Sequence, residues 1–439
     1  APRNEMVIQE LKGKDLIGLD YEPLFDVKPP RSENSYKIYD ADFVNTTEGT
    51  GVGHTAVMYG EDDYALGMAN DLPADHSVGE DGRFLPHVGE PLAGRYVKDK
   101  ETEGLIIQSL KSRGMLLSTL EYTHDYPYCW RCDTSLLYYA RSSWFIRMSS
   151  LKSDLLLANQ SVNWEPSTIK NGRMGEWLEN VKDWAISRDR YWGTPLPFWI
   201  CQNNHLTVIE SKPELQSLMQ KSSPSPITNL DDLHRPFIDQ ISFKCSECGE
   251  ISSRVPEVAD VWLDSGAMPF AQWSYPQAEG SIQSVKSHYP ADYISEAVDQ
   301  TRGWFYTLLA VAAIMGEGAP YQNVICLGLL LDEHGKKMSK SKGNVVDPWV
   351  IIDKFGADAL RFYLFSLNPA GEPKLFSEKD LQTVSRRVLM IWWNVYLFFS
   401  QRTEDEKRPV ENGGKSENVL DRWILARVNI TIDIVTTNL

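Results

Sequence analysis

The stretch between residues 293 and 331 limits the fold more than any other part of the chain. Tyr293-Ile294-Ser295 reads as a short strand, Asp299 to Met315 as a helix, and Val324 to Leu331 as a second strand. A strand, helix and strand of these lengths predict a parallel, right-handed crossover in an open sheet. In such sheets ligands bind beyond the carboxyl ends of the strands. Glu296, Asp299 and Gln300 follow the first strand. Lys337-Met338-Ser339-Lys340-Ser341, then Lys342-Gly343-Asn344, follow the second. Both segments therefore project to one edge. Lysines, hydroxyls and a glycine on a loop suit a polyphosphate, because ammonium groups neutralise the charge that develops as an α-phosphate is attacked and pyrophosphate leaves. A solvated basic turn is the plainer reading of K-x-x-K alone; the strand–helix–strand setting favours the phosphate. Asp347 and Pro348 read as the N-cap and first residue of the next helix.

With 439 residues there is room for two to four domains. Hydrophobic content of 42% and charged content of 24% are ordinary for a soluble globular protein. A formal net charge of −16 gives no global attraction for nucleic acid, so such a partner must meet local basic patches. Arg3, Asn4 and Glu5 precede any apolar stretch, so no secretory leader is expected. Val388 to Phe399 is too short to span a bilayer and contains Asn394; it reads as a buried helix.

Up to Glu121 the chain is rich in Gly, Pro and Asp. Its short apolar runs (Leu16-Ile17-Gly18-Leu19, Tyr36 to Tyr39, Gly94 to Val97) predict a β-rich module. Leu105 to Leu117 is its best helix, ended at or just beyond Gly114. Tyr122 to Trp184 mixes short strands with an amphipathic stretch around Ser149 to Ala158. An inserted module runs from Cys201 to Arg254, with a polar loop at Lys221 to Thr228. From Glu378 onward apolar residues recur at helical spacing (Val384, Val388, Ile391, Trp392, Val395, Phe399). A polar linker, Thr403 to Asn418, precedes a last amphipathic helix from about Leu420.

The six cysteines suggest metal in a reducing compartment rather than a disulfide scaffold. Cys245-Ser246-Glu247-Cys248 is a thiolate pair. Cys201 lies across the inserted module, and His205 beyond it is a competent imidazole ligand, so a zinc ribbon with three cysteines and a histidine is expected. Cys129 and Cys132 form a second C-x-x-C. Cys326, inside an apolar run, reads as core.

The lysine pentapeptide is also the signature loop of the class I aminoacyl-tRNA synthetases, and three further segments resemble that family. Asp260-Val261-Trp262-Leu263-Asp264-Ser265-Gly266 is similar to D-V-W-F-D-S-G, with Leu263 for Phe. Ser295 to Phe305 is similar to S-E-x-x-D-Q-x-R-G-W-F, and Ile186 to Pro197 to I-S-R-x-R-Y-W-G-T-P-I-P. The set resembles the isoleucyl branch more than the valyl or leucyl ones; valyl members carry W-G-H where this chain has Trp192-Gly193-Thr194. The resemblance runs from about Leu11 to Arg427. It implies an α/β chain: the second half of a Rossmann-type catalytic domain, a β-rich editing insertion, a zinc ribbon and the start of an α-helical anticodon-binding domain. The boundaries expected are 1–121 (editing), 122–200 (connector), 201–256 (zinc ribbon), 257–368 (catalytic half) and 369–439 (stem contact and helical start). The family's H-I-G-H signature is absent, since neither His54 nor His334 has a partner at the right spacing. The chain is therefore expected to be an internal portion, beginning inside the editing insertion and inactive alone in aminoacylation. A stand-alone deacylase and a non-catalytic tRNA-binding piece are the alternatives.

The resemblance implies ATP-dependent activation of isoleucine and its transfer to tRNA(Ile), in the cytoplasm, by a monomer when complete. Lys337 and Lys340 would act on the transferring phosphate, and Lys337, Met338, Ser339, Lys340 and Ser341 would bind ATP with its Mg2+. Glu296, Asp299 and Gln300 would take the amino group and ribose hydroxyls of the adenylate. Helix capping is the rival reading for Glu296 and Asp299. Trp304 and Trp262 would wall the side-chain pocket, though a lone tryptophan is more often core. Gly49 to Tyr64 is similar to the family's editing segment G-T-G-x-V-H-x-A-P-x-x-G-x-D-D-Y, which would make Asp63 the anchor of a misacylated amino group with His54 close by. Gly53 and Val57 depart from that pattern. For zinc, relatives carry C-x-x-C where this chain has Cys201 and Asn204. The partners of Cys129 and Cys132 would lie upstream, leaving that half-site open.

Overall fold

A computed structural model of the chain describes residues 10–25, 32–45, 51–121, 123–129, 132–221, 230–339, 343–405 and 416–438. They divide into two units, Ala1–Ser142 and Ser143–Leu439.

The first unit carries helices α1 (Glu61–Ala69) and α2 (Lys100–Ser112). The β-rich module expected here is not formed by the described residues. Among the described residues there are only isolated bridges, such as Asp20↔Lys37, Val78↔Phe84 and Arg83↔Tyr96. Gly82, Gly89 and Gly94 all sit at positive φ (75°, 82° and 75°) and turn the chain before a ladder can extend. Helix α2 starts at Lys100 rather than Leu105, where Glu101 and Glu103 complement its N-terminus. It stops before Gly114 (φ 69°), whose N–H donates to the Lys111 carbonyl at 3.1 Å. Residues 126–141 belong to this unit, so the seam lies beyond Glu121. The Tyr139 hydroxyl donates to the Val78 carbonyl at 3.1 Å, and the Ala140 N–H to the Met58 carbonyl at 2.8 Å. Val78 and Leu92 are its buried apolar side chains among the described residues. A ring cluster supplements them, with His76 stacked on Tyr139 at 4.0 Å.

In the second unit α3 (Lys152–Ser161) leads into a short strand, β1 (Asn163–Glu165). The inserted module follows. Strands β2 (Phe198–Cys201) and β3 (Leu206–Val208), helix α4 (Lys212–Lys221), and strands β4 (Ser242–Lys244) and β5 (Ile251–Arg254) build an antiparallel sheet in the order β3-β2-β5-β4. Its core gathers Trp199, Leu215, Met219, Ile241 and Phe243. Helix α5 (Val261–Gly266) then precedes β6 (Ala291–Ala297), α6 (Trp304–Ile314) and β7 (Tyr321–Leu327). Strands β6, β7 and β1 form one parallel sheet in the order β6-β7-β1. Glu296 faces Cys326 and Ala297 faces Leu327 in register.

Helix α6 is apolar all round, and Phe305 to Ala313 are buried. Phe305 meets Trp164 of β1 edge-on at 5.5 Å, so one aromatic contact ties helix to sheet. Truncating Phe305 to Ala in this core would cost about 3–5 kcal/mol. The helix starts at Trp304, not Asp299, because Gly303 leaves helical geometry (φ −144°, ψ −120°). Residues 298–302 form a 3₁₀ turn instead. The second strand ends at Leu327, not Leu331. A side chain at Gly328 would collide with the Glu372 carbonyl, so the backbones pass in contact there.

A short strand β8 (Leu330–Leu331) resumes, followed by α7 (Pro348–Phe355), α8 (Ala357–Ser366) and β9 (Lys374–Leu375), which pairs parallel with β8. Asp347 caps α7 as expected, accepting from the Trp349 N–H at 2.9 Å. Helices α9 (Glu378–Val384), α10 (Met390–Asp405) and α11 (Val419–Asn438) complete the chain. The 388–399 stretch is helical in its α10 part but not buried: Trp392, Val395 and Phe399 are 69%, 63% and 63% exposed. Spacing sets the helix; it does not bury these side chains. No described helix is long and apolar enough to cross a membrane.

Candidate functional site

The carboxyl end of β6 delivers Glu296 directly, and the 3₁₀ turn after it delivers Asp299 and Gln300. The Gln300 side-chain carbonyl accepts the Trp304 N–H at 2.8 Å, while its amide donates to Asp299 Oδ2 at 3.1 Å. Gln300, not Asp299 or Glu296, therefore caps α6. Across from it, Asp260 starts α5: its carboxylate accepts the Trp262 N–H at 3.2 Å and an Arg188 N–H at 2.7 Å. A Cβ on Gly303 would lie 2.6 Å from Gln300 Oε1 and 3.2 Å from Trp262 Cη2; one on Gly266 would lie 2.7 Å from the Thr307 carbonyl. Two glycines thus let α5 and α6 meet closely. The Trp304 indole N–H donates to the Ser265 carbonyl at 3.4 Å. Trp262, Gln300 and Trp304 are brought together, with Trp262 39% exposed. Asp264, one turn along α5, was not singled out by sequence. Burial raises its carboxyl above the usual range, against a Thr194 hydrogen bond that lowers it. Its signal was the second Asp of the 260–266 segment.

The lysine segment starts from a tight hairpin in which Leu331 bridges Lys337. The Asp332 carboxylate accepts the His334 N–H at 3.0 Å and the Lys336 N–H at 2.8 Å. It also accepts from the Asn344 amide at 2.8 Å, and that bond, first, holds its pKa below the usual range. Lys337 is exposed, and Met338 packs partly onto the cluster of Ile351, Tyr363 and Phe376. Lys340 and Ser341 lie outside the described residues.

In the first unit Asp63 is half-buried in the first turn of α1, while Asp62 is exposed. A Cβ at Gly60 would come within 2.7 Å of Asp63 Oδ2, so the carboxylate folds back over the helix start and a side chain there would push it aside. Val57, the departure from proline, packs where a side chain on Gly67 would otherwise sit (2.6 Å to its Cγ1). His54 is exposed in the preceding loop, and among the described residues no hydrogen bond joins it to Asp63.

Cys201, His205, Cys245 and Cys248 place one ligand atom each within 4.8 Å of one another. Cys201 Sγ lies 3.6 Å from Cys248 Sγ, and Cys245 Sγ lies 3.6 Å from His205 Nδ1. A tetrahedral ion with metal–sulfur bonds of about 2.3 Å and a metal–nitrogen bond of about 2.0–2.1 Å needs edges of roughly 3.6–3.8 Å, so the donor set fits. His205 Nε2 stands 3.7 Å from Glu247 Oε2, which orients the ring. Backbone N–H groups of Cys248 and Glu247 lower the Cys245 pKa and favour its thiolate. Each turn closes on a left-handed residue, Asn204 (φ 62°) and Gly249 (φ 77°), so Asn204 closes the turn and His205 beside it offers the imidazole donor. Cys129 and Cys132 repeat the second turn. The Asp133 N–H donates to the Cys129 carbonyl at 2.8 Å, and the Cys129 N–H to the Thr134 carbonyl at 2.8 Å. Among the described residues no third ligand joins them.

A family model for tRNA synthetases class I (I, L, M and V) matches residues 25–375. The chain belongs to this family. Isoleucine–tRNA ligases of Clostridium novyi and Clostridium tetani are each 45% identical to it, over 99% and 97% of its length. That of Thermus thermophilus is 42% identical over 98%. The chain spans 41%, 40% and 40% of those three relatives. Its parallel sheet and crossover helix are the mixed α/β catalytic fold of the class I synthetases.

Proposed function

We propose that the chain forms part of an isoleucine–tRNA ligase and carries the lysine-loop half of its catalytic domain, with an editing region and a structural zinc. The observation that carries the reading is 45% identity to isoleucine–tRNA ligases over nearly the whole chain. The parallel β6–β7 crossover, with Glu296 and Asp299 at the carboxyl end of β6, supports it.

In the first step an isoleucine carboxylate oxygen attacks the α-phosphorus of ATP, which enters with its Mg2+. The new P–O bond forms as the bond to pyrophosphate breaks. Lys337 and Lys340 stabilise the charge gathering on the transferring and leaving phosphates. Asp299 and Glu296 receive the ammonium and ribose hydroxyls, and Trp262 and Trp304 wall the aliphatic side chain. In the second step the terminal ribose hydroxyl of tRNA(Ile) attacks the acyl carbonyl and AMP leaves. Synthesis alone cannot exclude valine, since one methylene is worth only about 1–3 kcal/mol, a limit for which isoleucine against valine is the standard illustration. Asp63 would anchor the valyl ammonium of Val-tRNA(Ile) for hydrolysis, with His54 alongside. Zinc held by Cys201, His205, Cys245 and Cys248 would lock the two turns of the inserted module.

Isoleucine-dependent ATP–pyrophosphate exchange by the full-length enzyme, without tRNA, tests this reading. Exchange with isoleucine well above that with leucine is the expected result. Hydrolysis of Val-tRNA(Ile) without any exchange would make the protein a deacylase instead.

A further inference from the structure

The Asn344 carboxamide makes three hydrogen bonds into the lysine segment. Its oxygen accepts the Ser339 N–H at 2.9 Å; its amide donates to Asp332 Oδ2 at 2.8 Å and to the Lys337 carbonyl at 3.3 Å. The other Asp332 oxygen holds the His334 and Lys336 N–H groups. Two side chains, twelve positions apart, thus fix backbone groups at 334, 336, 337 and 339. Met338 is held from below by the apolar cluster. The backbone of Lys337 is pinned on both sides, although its side chain is exposed.

Only a carboxamide suits this position. It must present an acceptor to Ser339 and a donor to Asp332 at once. A flipped amide would set its NH2 against the Ser339 N–H and its oxygen against the Asp332 carboxylate. A carboxylate at 344 would repel Asp332, and alanine would leave the Ser339 N–H without this acceptor.

We infer that Asn344 is a positioning residue for activation: with Asp332 it clamps the stem of the lysine segment, so that Lys337 is already in place when the α-phosphate is attacked. The inference rests on the ligase reading. Charge stabilisation accelerates a step chiefly when it is preorganised. Loss of the clamp therefore lowers the rate of adenylate formation more than the binding of isoleucine.

Isoleucine-dependent pyrophosphate exchange in the full-length enzyme provides the test, with melting temperature and Val-tRNA(Ile) hydrolysis followed on the same preparations. Asn344→Ala should lower kcat about tenfold while the isoleucine KM stays within about twofold. Asn344→Asp and Asp332→Asn should each do at least as much harm. The double variant Asp332→Asn with Asn344→Asp restores the 332–344 donor–acceptor pair in reverse, without the bond to the Lys337 carbonyl, and should recover part of the lost rate. Hydrolysis should not change in any of them. A wild type inactive in exchange would overturn the ligase reading. An active wild type with Asn344→Ala at full kcat, or a double variant no better than its worse parent, would overturn the clamp. So would losses that track melting temperature and appear equally in hydrolysis.

Discussion

In the second unit Glu296 lies near the end of β6, which runs parallel to β7, and α6, buried from Phe305 to Ala313, links the two strands; the lysine segment follows β8 further on. In the first unit Asp63 depends on one helical turn and one glycine, with Val78 and Leu92 the buried apolar side chains nearby in sequence. The first arrangement spreads its precision over a sheet and a core. The second concentrates it in a local cap. Substitutions beside the first site should act through chemistry. Those beside the second should act through small displacements of one carboxylate.

The largest effect should come from the lysine segment. In the full-length enzyme Lys340→Ala should slow adenylate formation by a factor of roughly 10²–10³ with isoleucine binding little changed. Pre-steady-state measurement of adenylate checks this; a rise confined to the isoleucine KM would make the lysine a ground-state contact.

Next comes the metal. Cys245 and Cys129 head turns of the same hydrogen-bond pattern, but only the Cys245 turn faces Cys201 and His205 among the described residues. One zinc per chain should fall to none in Cys245→Ala, as read by elemental analysis. Zinc content that survives would move the ion to Cys129 and Cys132.

In the first unit Asp63→Ala should cut Val-tRNA(Ile) hydrolysis at least tenfold and leave isoleucylation near normal, the loss of one charge-assisted hydrogen bond of about 1.5–3 kcal/mol. Exposed Asp62→Ala is the control. Equal losses in both variants would mean that the turn holds the fold rather than the substrate. A smaller effect, of a few fold, should follow from Gly60→Ala, whose Cβ would come within 2.7 Å of Asp63 Oδ2. Hydrolysis at the wild-type rate there would show that the carboxylate does not need its observed position.

Much of this was legible in sequence where the signal is local. The crossover followed from the order of strand, helix and strand, the Asp347 cap from residue type, and the gathering of three cysteines with His205 from their spacing. What failed needed distant contacts. Nothing near Asn163 announces that β1 joins β7, a pairing of strands far apart in the chain. The start of α6 moved because Gly303 lies against Trp262 of another helix. The first unit looked β-rich because short apolar runs sit between Gly, Pro and Asp there, yet their turns leave no length for a ladder among the described residues. Asn344 stood in plain view after the lysines. Its part emerged only when the hairpin brought Asp332 to it.

If synthesis and proofreading occupy separate regions, Lys337→Ala separates them most directly when both reactions are measured on one preparation of the full-length enzyme. Isoleucine-dependent exchange should fall at least a hundredfold while Val-tRNA(Ile) hydrolysis holds its wild-type rate. Parallel loss of both reactions, or exchange that survives, would contradict that separation.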